Sequence, residues 1–264
     1  MGHEMSDSGY WPGKRAIVTA GAAGIGLSIA RALHAAGAKA WICDIADGPL
    51  AEAVAAMPGL GAMRCDVADA AAVEGFVAAA VGAMGGLDIV VNNAGIAGPA
   101  APVEDISPED WAQVMAVNVN GQFHLARSTV PHLKANGWGA MICMASVAGK
   151  YAFPLRTPYA ASKAAVISLA RSLSVELGPH RIRVNAIAPG VVAGDRIRRV
   201  FTDRAATRGI TYEQMEQIAL RAVSLKTAVE PEEIAALVMF LCAPTGRAIT
   251  GQVHSICGGL EYTE

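Results

Sequence analysis

Short apolar runs alternate along the chain with longer Ala-rich stretches whose hydrophobic positions recur at helical spacing. The first kind of segment predicts strands and the second predicts helices. The pattern reads as strand Arg15 to Thr19, helix Ile25 to Ala36, strand Lys39 to Cys43, helix Leu50 to Met57, strand Ala62 to Cys65, helix Ala70 to Met84 and strand Leu87 to Val91. It continues as one long helix from about Ser107 to Ala135, strand Ala140 to Met144, helix Pro158 to Leu177 and strand Arg181 to Ile187. Ser107 can cap its helix and Pro108 suits the first turn. A polar, weakly periodic stretch from Gly190 to about Ser224 interrupts the rhythm, and helix Glu232 to Leu241 and strand Val253 to Ile256 complete it. Such alternation predicts an α/β chain of right-handed βαβ units, a doubly wound Rossmann-type parallel sheet with helices on both faces. We expect one domain over residues 11–264, a disordered tail over 1–10 and an excursion over 190–224, with no internal repeat or linker.

Composition narrows the picture. Hydrophobic residues make up 53% of the 264 residues, yet no apolar run approaches the ~18 residues that a membrane span needs. The formal charge of −2 supplies no basic field for a phosphate backbone, so neither membrane nor nucleic acid is expected as a partner. Five widely spaced cysteines in apolar surroundings, Cys43, Cys65, Cys143, Cys242 and Cys257, are expected to be reduced thiols rather than disulfides or metal ligands. The first residues, Met1-Gly-His-Glu-Met-Ser-Asp-Ser-Gly, have neither a cationic nor an apolar leader segment. A cytoplasmic protein without a bound metal is the expectation.

Candidate chemistry lies in several short motifs. The first strand runs through Thr19-Ala-Gly21-Ala-Ala-Gly24-Ile25-Gly26 directly into a helix. Glycines there let backbone approach a pyrophosphate, and the helix N-terminus offers unpaired N–H groups and partial positive charge. Asp44 ends the second strand, where a carboxylate accepts hydrogen bonds from ribose hydroxyls and repels a 2′-phosphate. Neither Ala23 nor the pair Ile45-Ala46 offers a cation to hold such a phosphate, so NAD is expected over NADP. Asp66, followed by Val67 after the third strand, is expected near the adenine edge, with a helix cap as the plainer role of that aspartate. The fourth strand ends in Asn92-Asn93-Ala94-Gly95. Downstream of Ser146, Tyr159-Ala-Ala-Ser-Lys163 places a phenol and an ammonium one helical turn apart on one face. A free tyrosine titrates near pKa ~10, and a neighbouring cation favours the phenolate.

Taken together, the glycine loop, Asn92-Asn-Ala-Gly95, Asn118-Val-Asn-Gly121, Ser146, Tyr159-x-x-x-Lys163 and Arg183-Val-Asn-Ala-Ile-Ala-Pro189-Gly190 resemble the short-chain dehydrogenase/reductase family over nearly the whole chain. The resemblance implies seven parallel strands in the order 3-2-1-4-5-6-7 and a homotetramer. It implies Tyr159 as acid/base, Lys163 on the nicotinamide ribose and beside the phenol, Ser146 on the substrate oxygen, and Asn118 holding a water between Lys163 and solvent. Pro189, Gly190 and Val192 would border the nicotinamide. An Asn inside a helix with no such role would be a costly buried amide.

Two positions depart from the family pattern. Ala20 stands where a glycine is usual, and Val191-Val-Ala-Gly194-Asp195 replaces the segment that usually carries a carboxamide-binding Thr, leaving Val192 to bind through backbone groups. Residues 148–157 and 191–220 are the expected substrate walls, with Tyr151, Phe153 and Leu155 as apolar surface. Arg156, Arg196, Arg198 and Arg199 are candidates for gripping an acidic substrate. The plainer role is a solvated face balanced by Asp195, Asp203, Glu213 and Glu216. The expected activity is NAD-dependent interconversion of a secondary alcohol and a ketone. A reductase of 3-oxoacyl thioesters using NADPH and a catalytically silent NAD sensor are the alternatives.

Overall fold

The computed structural model describes residues 9–260, without the side chains of residues 196, 203, 204 and 207. Its centre is a parallel sheet of β1 (Arg15–Thr19), β2 (Lys39–Asp44), β3 (Gly61–Arg64), β4 (Ile89–Asn92), β5 (Gly139–Met144), β6 (Ile182–Pro189) and β7 (Val253–Ile256), in the order β3-β2-β1-β4-β5-β6-β7. The inner strands β1, β4, β5 and β6 are mostly apolar because both of their faces are covered, whereas the edge strands β3 and β7 are partly exposed. On one face α1 (Gly24–Ala35), α2 (Asp47–Ala56) and α9 (Pro231–Cys242) bury Ile29, Leu33, Ile42, Val238 and Leu241. On the other, α3 (Ala70–Met84), α5 (Gly121–Asn136) and α6 (Thr157–Leu177) bury Phe76, Leu125, Met141 and Val166. Fully burying a Leu or Ile side chain contributes roughly 1.5–3 kcal/mol, so these two layers hold the sheet.

Most expected elements lie within two residues of their predicted bounds. The long helix differs: it is α4 (Pro108–Met115), a π-helical turn over Ala116–Asn120, and then α5. The weakly periodic excursion contains two helices, α7 (Asp195–Arg208) and α8 (Tyr212–Arg221), the latter opened by a capping box between Thr211 and Gln214. Of the expected tail, residues 1–8 lie outside the described residues, whereas Tyr10 packs edge-on against Trp11 at 5.1 Å and donates from its hydroxyl to the Cys242 carbonyl at 3.2 Å. That aromatic anchoring makes Tyr10 part of the domain. Among the described residues no helix is long and apolar enough to cross a membrane. Cys43, Cys65, Cys143 and Cys242 are buried free thiols and Cys257 is partly exposed; burial pushes Cys143 and Cys242 up to about 12.

The N-terminal ends of the strands are clamped by charge. Arg15 donates through Nε to one Asp88 carboxylate oxygen and through Nη2 to the other, both at 2.8 Å, and also to the Gly85 carbonyl and to Asn136 Oδ1. Burial pushes the Asp88 carboxyl up, but the Arg15 guanidinium and N–H, with Asn136, outweigh it and hold the group below the ordinary carboxylate range. At the other end of β1, Ala20 adopts the left-handed region with φ 48°, a conformation that disfavours a side chain by roughly 1–2 kcal/mol.

Two stability predictions follow from these opposite ends of the sheet. A lowered folded pKa makes the Asp88 contribution present above the unfolded value of about 3.9 and lost as pH falls through the lower folded value. Asp88→Asn is expected to lower the unfolding free energy by about 2 kcal/mol at neutral pH and to flatten its decline in acid, measured by urea titration over that range. Ala20→Gly is expected to raise the unfolding free energy by about 1 kcal/mol, read as a higher urea midpoint at unchanged slope.

Candidate active site

The C-terminal strand ends carry the site, as in open α/β sheets generally. Glycines shape the loop after β1 by close approach. A Cβ on Gly21 would lie 2.6 Å from Ile42 Cβ, and one on Gly26 would lie 2.1 Å from the Ala20 carbonyl oxygen and 2.7 Å from Asn93 Nδ2. The turn therefore keeps its form with Ala20 in the left-handed position and Gly21 supplying the close contact. At the start of α1, Ala23 offers no side-chain cap and the first turn holds no acidic residue. This uncapped N-terminus and close-packed glycine cradle fit a pyrophosphate.

Thr19 locks the loop to the end of β4, a role that sequence reading missed. Its Oγ1 accepts from the N–H groups of Asn93 and Ala94 at 2.9 and 3.0 Å, while Asn93 Nδ2 donates to the Thr19 and Ala20 carbonyls. Asp44 lies beside the cradle, its Oδ1 accepting from Ile45 N at 2.8 Å and its Oδ2 from Ala22 N at 3.4 Å. Ala23, Ile45 and Ala46 supply no cation, but a residue from the next strand does. Arg64 pairs in register with Asp44 across β2 and β3, and its Nε donates to the Ile45 carbonyl at 3.2 Å. Strand register, invisible along the chain, brings it there; Asp47 lies 3.8 Å from the same nitrogen. Asp66 closes its own turn by accepting from Ala68 N, and Gly121 lets Val67 approach α5, where a Cβ would lie 2.7 Å from Val67 Cγ2.

The π turn delivers Asn118 into the interior, fully buried. Its Oδ1 accepts from Ile96 N at 2.7 Å, and its Nδ2 donates to the Ile96 carbonyl and to Ser162 Oγ, both at 2.9 Å. The amide is thus satisfied by protein, and the argument that it would be unpaired without a bound water does not hold. Ser162, itself donating to the Tyr159 carbonyl at 2.7 Å, passes this restraint to the helix that bears the phenol. Lys163 is buried, its Nζ donates to the Met144 carbonyl at 2.9 Å, and it lies 5.7 Å from the Tyr159 ring centroid. A Cβ on Gly95 would lie 3.1 Å from both Lys163 Nζ and Asn118 Oδ1, so the motif after β4 abuts the same ammonium.

Ser146 opens a tight turn by accepting from Ala148 N at 3.2 Å. Gly149 seats that turn on α6, since a Cβ there would lie 2.5 Å from the Lys163 carbonyl carbon. Ser146, Tyr159, Lys163 and Asn118 are thereby gathered on the helix α6 side of the β4 and β5 ends. Phe153 stands against Tyr159 with ring centroids 6.4 Å apart, and Tyr151 and Leu155 are exposed.

Of the expected acidic-substrate grips, Arg156 is 9% exposed and donates through Nη1 to the Gly98 carbonyl at 3.0 Å. It braces the loop after β4 against the start of α6, neither solvated nor turned outward, because the chain folds back there with Ala101 N donating to Leu155 O. The Arg196 side chain lies outside the described residues. Between α7, α8 and the residues after Pro189 is a cavity of about 100 Å³, lined by Ile197, Arg198, Phe201, Tyr212 and Leu220 among others. Gly190 packs on Cys257, and a parallel bridge joins Val192 to Val229 through Val191 O and Ala193 N. In a parallel bridge those bonds flank Val192 and leave its own N–H and C=O directed the other way.

A family model described as enoyl-(acyl carrier protein) reductase matches residues 20–261. D-beta-hydroxybutyrate dehydrogenase of Cupriavidus necator is 34% identical over 252 residues, covering 94% of this chain and 97% of the relative. Among solved structures, actinorhodin polyketide ketoreductase with NADPH superposes with a TM-score of 0.90 at 29% identity, covering 95% of this chain and 98% of that one. NAD+-bound xylitol dehydrogenase superposes with a TM-score of 0.89 at 31% identity, covering 94% and 99%. With its strand order, glycine cradle and Tyr159/Lys163 pair, the chain belongs to the short-chain dehydrogenase/reductase family.

Proposed function

We propose that the protein is an NAD-dependent oxidoreductase that interconverts a secondary alcohol and a ketone. The observation that carries this reading is the seating of Lys163: its Nζ is held by the Met144 carbonyl, beside Gly95 and over the Tyr159 ring. That seat sets a buried cation next to a phenol at the mouth of the strand ends.

A bound nicotinamide supplies the hydride acceptor or donor. Gly21, Gly24, Ile25 and Gly26 would hold its pyrophosphate; Asp44 the adenosine ribose; Asp66 and Val67 the adenine side; Asn93, Ala94 and Gly95 the floor; Tyr159 and Lys163 the nicotinamide ribose; and Pro189, Gly190 and Val192 the carboxamide. In the oxidative direction Tyr159 Oη takes the alcohol proton, and Ser146 Oγ donates a hydrogen bond to the same oxygen, stabilising charge that develops there. Lys163 Nζ lies 5.7 Å from the Tyr159 ring centroid, beside the group that takes the proton. Asn118 braces this geometry, its side chain tying the Ile96 loop to Ser162.

Asp44 supports NAD over NADP, because a second negative charge beside its carboxylate is unfavourable. The neighbouring Arg64 and the NADPH held by the ketoreductase relative favour a second reading, an NADPH-dependent 3-oxoacyl-thioester reductase. A silent NAD sensor is the weaker alternative, since a sensor has no use for the complete Ser146, Tyr159, Lys163 and Asn118 set. Exposed Trp111, Phe123 and Val175 on the α4 to α6 surface support a homotetramer, and five free cysteines support a cytoplasmic location.

A panel of secondary alcohols with NAD+ and NADP+, followed by absorbance of the reduced nicotinamide, tests the reading. Tyr159→Phe is expected to lower kcat by about 10³-fold while the Kd for NAD+ stays within about twofold; near-normal turnover in that variant refutes the assignment. Wild-type kcat/KM is expected to favour NAD+ over NADP+ by about tenfold or more, and Asp44→Ala to narrow that ratio. A wild-type preference for NADP+ with ketone thioesters would establish the second reading instead.

A further inference from the structure

The first turn of α5 contains a side chain that the proposed chemistry does not use. Gln122 is 1% exposed and donates from Nε2 to the Met144 carbonyl at 3.2 Å, the same oxygen that holds Lys163 Nζ. That carbonyl is open to side chains because β4 pairs with β5 only as far as Asn92↔Cys143. Beyond it the chain turns toward β1, where Thr19 takes the Asn93 and Ala94 N–H groups. Asn92 joins the cluster by donating from Nδ2 to the Gln122 carbonyl at 2.8 Å. Among the described residues, Gln122 Oε1 and Asn92 Oδ1 are buried acceptors with no donor.

An amide whose oxygen is buried without a donor is a poor choice for packing, since Met or Leu fills the same volume without that cost. What Gln122 supplies and an apolar residue cannot is its Nε2 donor. A carbonyl oxygen has two lone pairs; with one taken by the amide, the Lys163 ammonium is confined to the other. We propose that Gln122 is a positioning residue for Lys163, acting through the Met144 carbonyl. The inference rests on the alcohol and ketone reading above for its kinetic consequence, but not for the ammonium geometry.

Gln122→Met, with Gln122→Leu as a second variant should the first fold poorly, separates positioning from packing. Kinetics with NAD+ and the best alcohol are compared with NAD+ affinity, thermal midpoint and the ¹H–¹⁵N correlation of the Lys163 ammonium, assigned by its loss in Lys163→Arg. The expected result is a drop in kcat of about tenfold, KM and the Kd for NAD+ within about twofold, an unchanged or higher thermal midpoint, and a broadened or missing ammonium signal. Retention of both kcat and that signal overturns the proposal, as does a joint fall in thermal midpoint and NAD+ affinity, which would mark Gln122 as a packing residue. Should the wild type turn over no alcohol or ketone, the functional reading falls while the ammonium signal still decides the role of Gln122.

Discussion

Three hydrogen bonds from one buried amide hold the reactive end of the molecule together. Asn118 joins the loop after β4, through Ile96, to α6, through Ser162, from a position on the helix between them. These segments are distant along the chain, and each carries part of the site: Gly95 in the first, Tyr159 and Lys163 in the last. An α-helical register through Ala116–Asn120 would turn the amide elsewhere; the extra residue of the π turn directs it inward. The local irregularity is therefore what lets a regular scaffold hold a phenol, an ammonium and a glycine floor in register.

The two ends of the sheet are built on different principles. At the N-terminal end, Arg15, Asp88 and Asn136 form a charged clamp whose purpose is cohesion. At the C-terminal end the Asn118 amide is joined by close packing at Gly21, Gly26 and Gly149, where a single methyl group would collide, and at Gly95, where it would crowd Lys163 Nζ and Asn118 Oδ1. Side chains removed there leave room for a ligand while the main chain remains tightly packed. Ala20 shows the limit of this economy: its methyl group sits in the left-handed region, yet the collision points lie at its neighbours, so the turn survives the departure from glycine.

The excursion after β6 is built differently. The segment after Gly190 contributes two helices and a small cavity lined by Ile197, Phe201 and Leu220 with Arg198 and Tyr212. It returns to the domain through the Val192 to Val229 bridge and the Val223 to Leu260 bridge. The cofactor end has a comparable ambiguity, since Asp44 and Arg64 offer opposite charges at one edge of the cradle. Each of these features is a matter of which side chains meet across elements rather than of any one motif.

The apolar rhythm alone determined the α/β architecture, nearly all element bounds and the place of the excursion, because strand and helix periodicities are local properties of the chain. Spacing likewise placed the glycine loop at the turn into α1 and Tyr159 and Lys163 on neighbouring turns of α6, since each arrangement depends on residues a few positions apart. The helices within residues 190–224 were not legible, their surfaces being too polar to carry a clear periodicity. Only the tertiary structure decided that Asn118 is satisfied by Ile96 and Ser162, that Arg156 is a buried brace, that Arg64 flanks Asp44, and that Gln122 shares the Met144 carbonyl with Lys163. These outcomes join residues 19 to 58 positions apart or depend on strand register. No local pattern encodes them: they are set by where packed elements bring a donor against an acceptor.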